Sequence, residues 1–398
     1  MRILYLADIR FPLERANGIQ SMETCHALAR RGHDVHVVVR PDTHLPARDP
    51  YAFYGLPRLD RLSIERAPLM GPETARRLGY LAFSLGRALG AGRPDVVLTR
   101  DLGVASFLLR IPTGLRPPLV YESHGYAPDV AQALPALVAT ARPPGSRKLA
   151  RLQQREEVVW RKAEGYVTIT QGLADHLSER SGARADVTVV PDGVRLDDDA
   201  TAPRPWPAAD ARPLVVYAGH LYAWKGVDIL IEALAALPEA DGLIVGGHER
   251  EPDLGRVRAL AARLNLESRV TFSGLLDPPL VRAALARASV LALPNPESAI
   301  STRFTSPLKL FEYMAAGRPI VASDLPAIRE ILTPDVDAVL VRPGDPAGLA
   351  AGIRRVLGDP AFASRLAGAA RARVRAFTWD RRAELLERVL GRAVGGQQ

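Results

Sequence analysis

Two stretches of the sequence carry residue types able to hold an anion. In Leu214 to Asp228 an apolar run ends at Gly219, and His220 and Lys225 fall in the turn that follows, ahead of a helical pattern. Lysine and arginine together number 52, yet only four are lysine: Lys148, Lys162, Lys225 and Lys309. Two of those four lie in the two anion-suited stretches. A compact ammonium suits the approach of one point charge to a phosphate, whereas a guanidinium suits a planar fork. Coincidence is the alternative reading of the same spacing.

The second stretch, Thr305 to Gly317, reads as one helix with both ends written out: Ser306 as N-cap, Pro307 as first helical residue and Gly317 just past the end. Free amides and a partial positive charge of about +0.5 at its start would suit a phosphate. An ordinary capped core helix would look the same. Glu312 sits between Phe311 and Tyr313, where an unpaired carboxylate would cost several kcal/mol if buried. Its partner is either a pair of ribose hydroxyls, which a carboxylate can accept from, or Lys309 three residues before it.

In the first half, Gly18 precedes a helix running to Arg31-Gly32, where a missing Cβ lets backbone approach a ligand or merely eases the turn. His124, in Tyr121-Glu122-Ser123-His124-Gly125, follows a strand and falls at its carboxyl end, as a ligand contact or a structural histidine. Arg100, Asp101 and Glu122 also stand near strand ends and could meet an acceptor.

These residues need a scaffold that brings turns together. Short β-branched runs alternate with helical segments, the pattern of parallel sheets wrapped by helices. Strands are expected at Ile3 to Ala7, Asp34 to Val39, Asp95 to Thr99, Pro118 to Glu122, Tyr166 to Thr170 and Val187 to Val190. They resume at Leu214 to Ala218, Gly242 to Gly246, Arg269 to Ser273, Val290 to Leu293, Pro319 to Ser323 and Ala338 to Val341. Between them the acidic triplet Asp197-Asp198-Asp199 and Pro203, Pro205 and Pro207 read as a linker. The division is a first α/β domain over 1–196, a linker over 197–212, a second α/β domain over 213–376, and a final helix and tail over 377–398. In open parallel sheets ligands sit beyond the carboxyl ends of the strands, so two such halves would enclose a cleft.

Composition narrows the chemistry. The 398 residues are 47% hydrophobic and 24% charged, enough apolar content for folded domains. A net charge of +8 with only 6% aromatics, dispersed, does not mark a nucleic-acid binder. Cys25 is the one cysteine, which excludes an internal disulfide framework and fits a reducing compartment. There is no G-x-G-x-x-G after the first strand, no Walker A and no H-E-x-x-H. The start, Met1 to Asp8, reads as a strand rather than a signal peptide, and no run approaches the ~20 apolar residues of a bilayer span. A cytoplasmic protein is expected. The basic segment Arg147 to Lys162, with Leu149, Leu152 and Val159 on one side, could lie on a membrane surface or form a solvated scaffold helix.

The quoted motifs resemble a known family, the retaining, GT-B-fold nucleotide-sugar glycosyltransferases of family four. The likeness is carried by Asn17-Gly18 with Leu28 to Val35, by Pro191-Asp192-Gly193-Val194, by Gly219 to Asp228, by Val270 to Gly274, by Ser306 to Ser323 and by Phe377-Thr378-Trp379. It implies two Rossmann-like domains facing across a cleft, with the last helix crossing back to the first. It implies further that Lys225 and His220 contact the donor diphosphate, that Thr305, Ser306, Pro307 and Leu308 form the phosphate turn with Gly219 beside it, and that Glu312 holds the ribose. His124 would contact the donor sugar, and the Gly18 loop would close on the phosphates. The reaction implied is transfer to an acceptor hydroxyl with retention, the departing phosphate helping to deprotonate the acceptor. The nucleotide sugar would be a co-substrate, with no metal or other cofactor. This chain departs from the family in having His220 where Arg is usual and Phe304 where Glu is usual. A sugar-nucleotide epimerase and a non-catalytic nucleotide-sugar-binding protein are the rival readings. Neither the nucleotide, the sugar, the acceptor nor the oligomeric state is written in the sequence.

Overall fold

The computed structural model describes residues 1–68, 71–137, 141–196, 212–248, 251–298, 301–302 and 306–396. Thr305 and Phe304 lie outside the described residues, as does nearly all of the expected linker. Contacts divide the chain into two units. One comprises Met1–Pro128, Pro144–Gly193 and Trp379–Gln398, the other Asp129–Pro143 and Val194–Thr378.

The first unit is built on seven parallel strands: β1 (Arg2–Arg10), β2 (Asp34–Arg40), β3 (Leu62–Arg66), β4 (Val96–Thr99), β5 (Leu119–Ser123), β6 (Gly165–Thr168) and β7 (Val187–Val189). Their order in the sheet is β3-β2-β1-β4-β5-β6-β7. Central strands covered by helices on both faces must be apolar throughout. Accordingly β4 and β5 are buried along their whole length. The expected set lacked β3, which pairs Leu62 with Val35 and Arg66 with Val39 at the sheet edge. Its residues after Leu62 are half-buried or exposed, so it never shows the continuous apolar run that betrays an inner strand.

The second unit repeats the plan with β8 (Leu214–Ala218), β9 (Asp241–Val245), β10 (Val270–Gly274), β11 (Val290–Leu293), β12 (Ile320–Ser323) and β13 (Val339–Val341). All are parallel, in the order β10-β9-β8-β11-β12-β13. This is the doubly wound Rossmann order, in which the direction of winding reverses between the first and fourth strands of the unit and leaves a crevice at their carboxyl ends. Here those strands are β8 and β11. In the first unit the same reversal falls between β1 and β4.

Local chemistry explains where the helices begin. Asp101 accepts from Val104 N at 2.9 Å, Thr170 from Leu173 N at 3.1 Å and Asp345 from Gly348 N at 2.9 Å, each capping the helix that follows. Pro346 and Pro360 open their helices, where the missing N–H costs nothing. The last helix, Trp379–Gly395, buries Trp379, Arg382, Leu386, Val389 and Leu390 and packs within the first unit. There Glu387 pairs with Arg31 at 2.5 Å. Among the described residues no helix is long and apolar enough to cross a membrane.

Candidate functional site

In the second unit the turn after β8 and the segment after β11 meet at the point where the winding reverses. Tyr313, on the helix Leu308–Ala316, accepts a hydrogen bond from Ala218 N at 2.7 Å and ties that helix to the end of β8. Gly226 has φ 72°, and a Cβ there would lie 1.9 Å from the carbonyl oxygen of Pro294, so only glycine lets the Lys225 turn close against the loop after β11. Asn295 in that loop donates to Trp224 O at 3.4 Å.

Two ammoniums are gathered by this packing. Lys225 Nζ sits 3.6 Å from the Trp224 ring centroid. Lys309 Nζ lies 4.0 Å from the Tyr217 ring centroid and donates to Tyr217 Oη at 2.8 Å. Tyr217 Oη in turn donates to His220 O at 2.8 Å, fixing the turn. Burial pulls Lys225 down to about 7. Lys309 is lowered by burial and then by the charge of Lys225, with Glu312 acting the other way. Lys309 entered the sequence reading as one of two lysines in the anion-suited stretches and as a partner for Glu312, not as a phosphate contact of its own.

His220 is positioned by a residue the sequence reading missed. Its Nδ1 lies 2.6 Å from Glu251 Oε1, while Glu251 Oε2 accepts from Leu221 N at 3.0 Å. The ring stacks on Tyr222, with centroids 5.5 Å apart, and Tyr222 stacks on Trp224 at 6.1 Å. Gly219, with φ 142°, leaves room for Lys309, whose Nζ would be 3.2 Å from a Cβ there.

Two expectations for the β11 segment are corrected. The helix starts at Leu308, with Pro307 as its N-cap at ψ 112°, so Ser306 and Pro307 each stand one position earlier than expected. Pro307 still closes the first turn, its carbonyl accepting from Leu310 N at 2.8 Å. Glu312 is not held in an apolar environment: Leu310, Phe311, Tyr313 and Met314 are buried, and Glu312 is the exposed residue among them. Its position suits contact with a ligand and incurs no burial penalty.

The first unit gathers a different set at the carboxyl ends of its strands. Glu122 Oε1 accepts from Gln20 Nε2 at 2.5 Å, lies 2.5 Å from His124 Nε2, and pairs with Arg382 Nη2 at 2.6 Å. Arg382 comes from the last helix and also donates to Thr24 Oγ1, Val190 O and Pro191 O. Arg100 donates to Gln20 Oε1 at 2.6 Å. Glu122 is thus engaged by its own neighbours, and Asp101 is engaged as a helix cap beside Arg77 at 3.6 Å. Burial opposes the charge on Glu122, but Arg382 and then His124 hold it well below the usual carboxylate range. Burial, with Arg100, brings His124 down to about 4. Gln20 and Arg382 were not among the expected site residues.

The place of Gly18 is corrected, from before the helix to within it. It lies inside the first turn of the helix Ala16–Arg30. A Cβ there would meet Leu13 O at 2.3 Å and Tyr54 Oη at 2.5 Å, so the close approach it permits is internal packing. The basic helix Ser146–Lys162 buries Val159 and Trp160 and half-buries Leu149 and Leu152, which places its apolar side largely against the protein. Among the described residues no three His, Cys, Asp or Glu gather to hold a metal.

Comparison with known proteins gives this arrangement its class. Residues 19–198 match the family model described as Glycosyltransferase Family 4, and residues 212–359 match Glycosyl transferases group 1. The chain is 32% identical to D-inositol 3-phosphate glycosyltransferase of Xylanimonas cellulosilytica, over 94% of this chain and 90% of that protein. Its fold is similar to sucrose-phosphate synthase from Thermosynechococcus elongatus, with TM-score 0.76, 21% identity and 98% of each chain covered. It is also similar to Anabaena HepE in complex with UDP-glucose, with TM-score 0.69, 19% identity and coverage of 98% and 99%. The protein is therefore a glycosyltransferase that uses nucleotide sugars, built from two Rossmann-like units. Within that class the chain belongs to glycosyltransferase family 4.

Proposed function

We propose that the enzyme moves a sugar from a nucleotide diphosphate sugar to an acceptor hydroxyl with retention of anomeric configuration and without a metal ion. The observation that carries this reading is the pairing of Lys225 and Lys309 at the carboxyl ends of β8 and β11. Two half-buried ammoniums that repel each other are unfavourable until an anion arrives. A departing diphosphate is such an anion, and charge gathering on it in the transition state is what preorganised cations stabilise.

In this reading Lys225 contacts the diphosphate with Lys309 beside it, and His220, oriented by Glu251, presents its Nε2 to the same group. The Ser306 to Leu308 turn, with Thr305 before it, and Gly219 flank the phosphates, and Glu312 accepts from the ribose hydroxyls. His124 contacts the donor sugar. The two ammoniums take the charge role that a divalent cation would otherwise have. The acceptor bears a hydroxyl. The similarity to a D-inositol 3-phosphate glycosyltransferase supports a small polyol or sugar phosphate as the first class to try, and UDP-glucose, bound by HepE, is the first donor.

A thermal-shift screen of UDP-, GDP-, ADP- and dTDP-sugars tests the proposal, because a ligand bound only by the native state raises the melting temperature. One nucleotide family should raise Tm, in buffer containing a chelator, and Lys225→Met should abolish the rise. A rise that needs a divalent cation, or one that survives Lys225→Met, rejects this site.

A further inference from the structure

His124 has two ring nitrogens with different surroundings. Nε2 points at Glu122, whereas Nδ1 has no hydrogen-bond partner among the described residues, and the side chain is 20% exposed. Glu122 is 1% exposed and needs a cation. Either His124 or Arg382 could supply it, and the geometry decides between them. Arg382 is permanently charged, itself buried, and lies 2.6 Å from Glu122 Oε1. On its other side Asp192 Oδ1 lies 3.9 Å from Arg382 Nη1. With Arg382 neutralising the carboxylate, a second positive charge on His124 would face both burial and Arg100.

We propose that Glu122 and Arg382 are positioning residues for His124: they hold the imidazole uncharged with its hydrogen on Nε2, leaving Nδ1 as an acceptor that selects a ligand hydroxyl able to donate. An ionised carboxylate can only accept, so the nitrogen bonded to Glu122 must carry the hydrogen. Gln20, held by Arg100, donates to the same oxygen and fixes the carboxylate plane. The depression of His124 to about 4 agrees with this geometry. The groups facing the imidazole are Glu122 from β5, Arg100 from the end of β4, Gln20 from the helix Ala16–Arg30 and Arg382 from the last helix. The identity of the hydroxyl as one on a sugar rests on the function proposed above. The state of the ring does not.

The test uses the full chain labelled with ¹⁵N-histidine. Ring nitrogen–proton correlations are followed from about pH 8 to about pH 5, a range in which an ordinary histidine titrates near 6.5, and His124→Gln assigns the signal. The wild type should show the Nε2–H form throughout. In Arg382→Met the carboxylate loses its permanent cation, so the midpoint of His124 should rise by about one pH unit or more and Nδ1 should take up a proton. A merely structural role for Arg382 would lower Tm without protonating the ring. A wild-type ring with its hydrogen on Nδ1, or one titrating near 6.5, overturns the proposal, as does an unchanged ring in Arg382→Met. If that variant does not fold, the wild-type spectrum decides alone. No ligand is added, so failure of the donor screen and failure of this inference are separate results.

Discussion

Both units place charged residues at the carboxyl ends of their strands and treat them in opposite ways. In the first, Glu122 Oε1 is held by Gln20, His124 and Arg382 before any ligand arrives. In the second, Lys225 on the turn after β8 and Lys309 on the helix after β11 are brought together, and Lys225 is shifted by burial alone. A buried charge with its partner in place belongs to the folded state. A buried charge lacking one costs stability, and that cost is recovered when a ligand supplies the counter-charge. The same fold therefore carries one cluster built to be rigid and one built to be completed.

Removing a cation from each cluster is the most forceful way to break this contrast. Arg382→Met strands Glu122 and should destabilise the fold by about 3–5 kcal/mol, the range for breaking a buried pair by deleting one partner. Urea unfolding measures it, and a loss under about 1 kcal/mol would mean that the pair contributes little. Lys225→Met should leave stability equal or higher, since it deletes a half-buried charge whose ammonium is shifted by desolvation alone, yet reduce turnover by about 10²-fold or more. A folded Lys225→Met variant with wild-type turnover removes Lys225 from the reaction.

A smaller effect, with a sign on each side, sharpens the comparison. Lys225 has its native value lowered to about 7, while an unfolded lysine keeps about 10.4. Below about 7 it is charged in both states and its burial cost is fully present. Between these two values the unfolded chain binds the extra proton, so ligand-free stability should rise with pH, and Lys225→Met should lose that slope. Diphosphate affinity should run the other way, falling about tenfold or more from pH 7 to pH 9 as the ammonium discharges. Isothermal titration with UDP reads the affinity. Binding that is flat across that window would show that the charge of Lys225 does not matter.

Much of the scaffold was legible because buried parallel strands must be apolar along their length. β8 and β11 stand where the sequence places them. β3 was missed because an edge strand such as Leu62–Arg66 lacks that signature. Within the candidate site, Lys225 and His220 announced themselves by residue type and by the glycine turn before them. Glu251 did not, since a glutamate at the start of a helix looks like any other until it is seen 2.6 Å from an imidazole. Gly18, expected ahead of its helix, stands within the first turn and packs on Leu13 and Tyr54, because sequence cannot tell which atoms would meet a Cβ.

By itself the sequence determined the alternation of strands and helices, the turns that follow them and the rarity of lysine, because periodicity, capping and composition are local properties of the chain. Only the tertiary structure decided which charges meet. Arg382 reaches Thr24 across 358 residues of sequence and lands on Glu122, and Lys309 turns away from its own helix toward Tyr217 at the end of β8. Coulomb energy and desolvation depend on distance in space and on burial, and the chain fixes neither until it has folded.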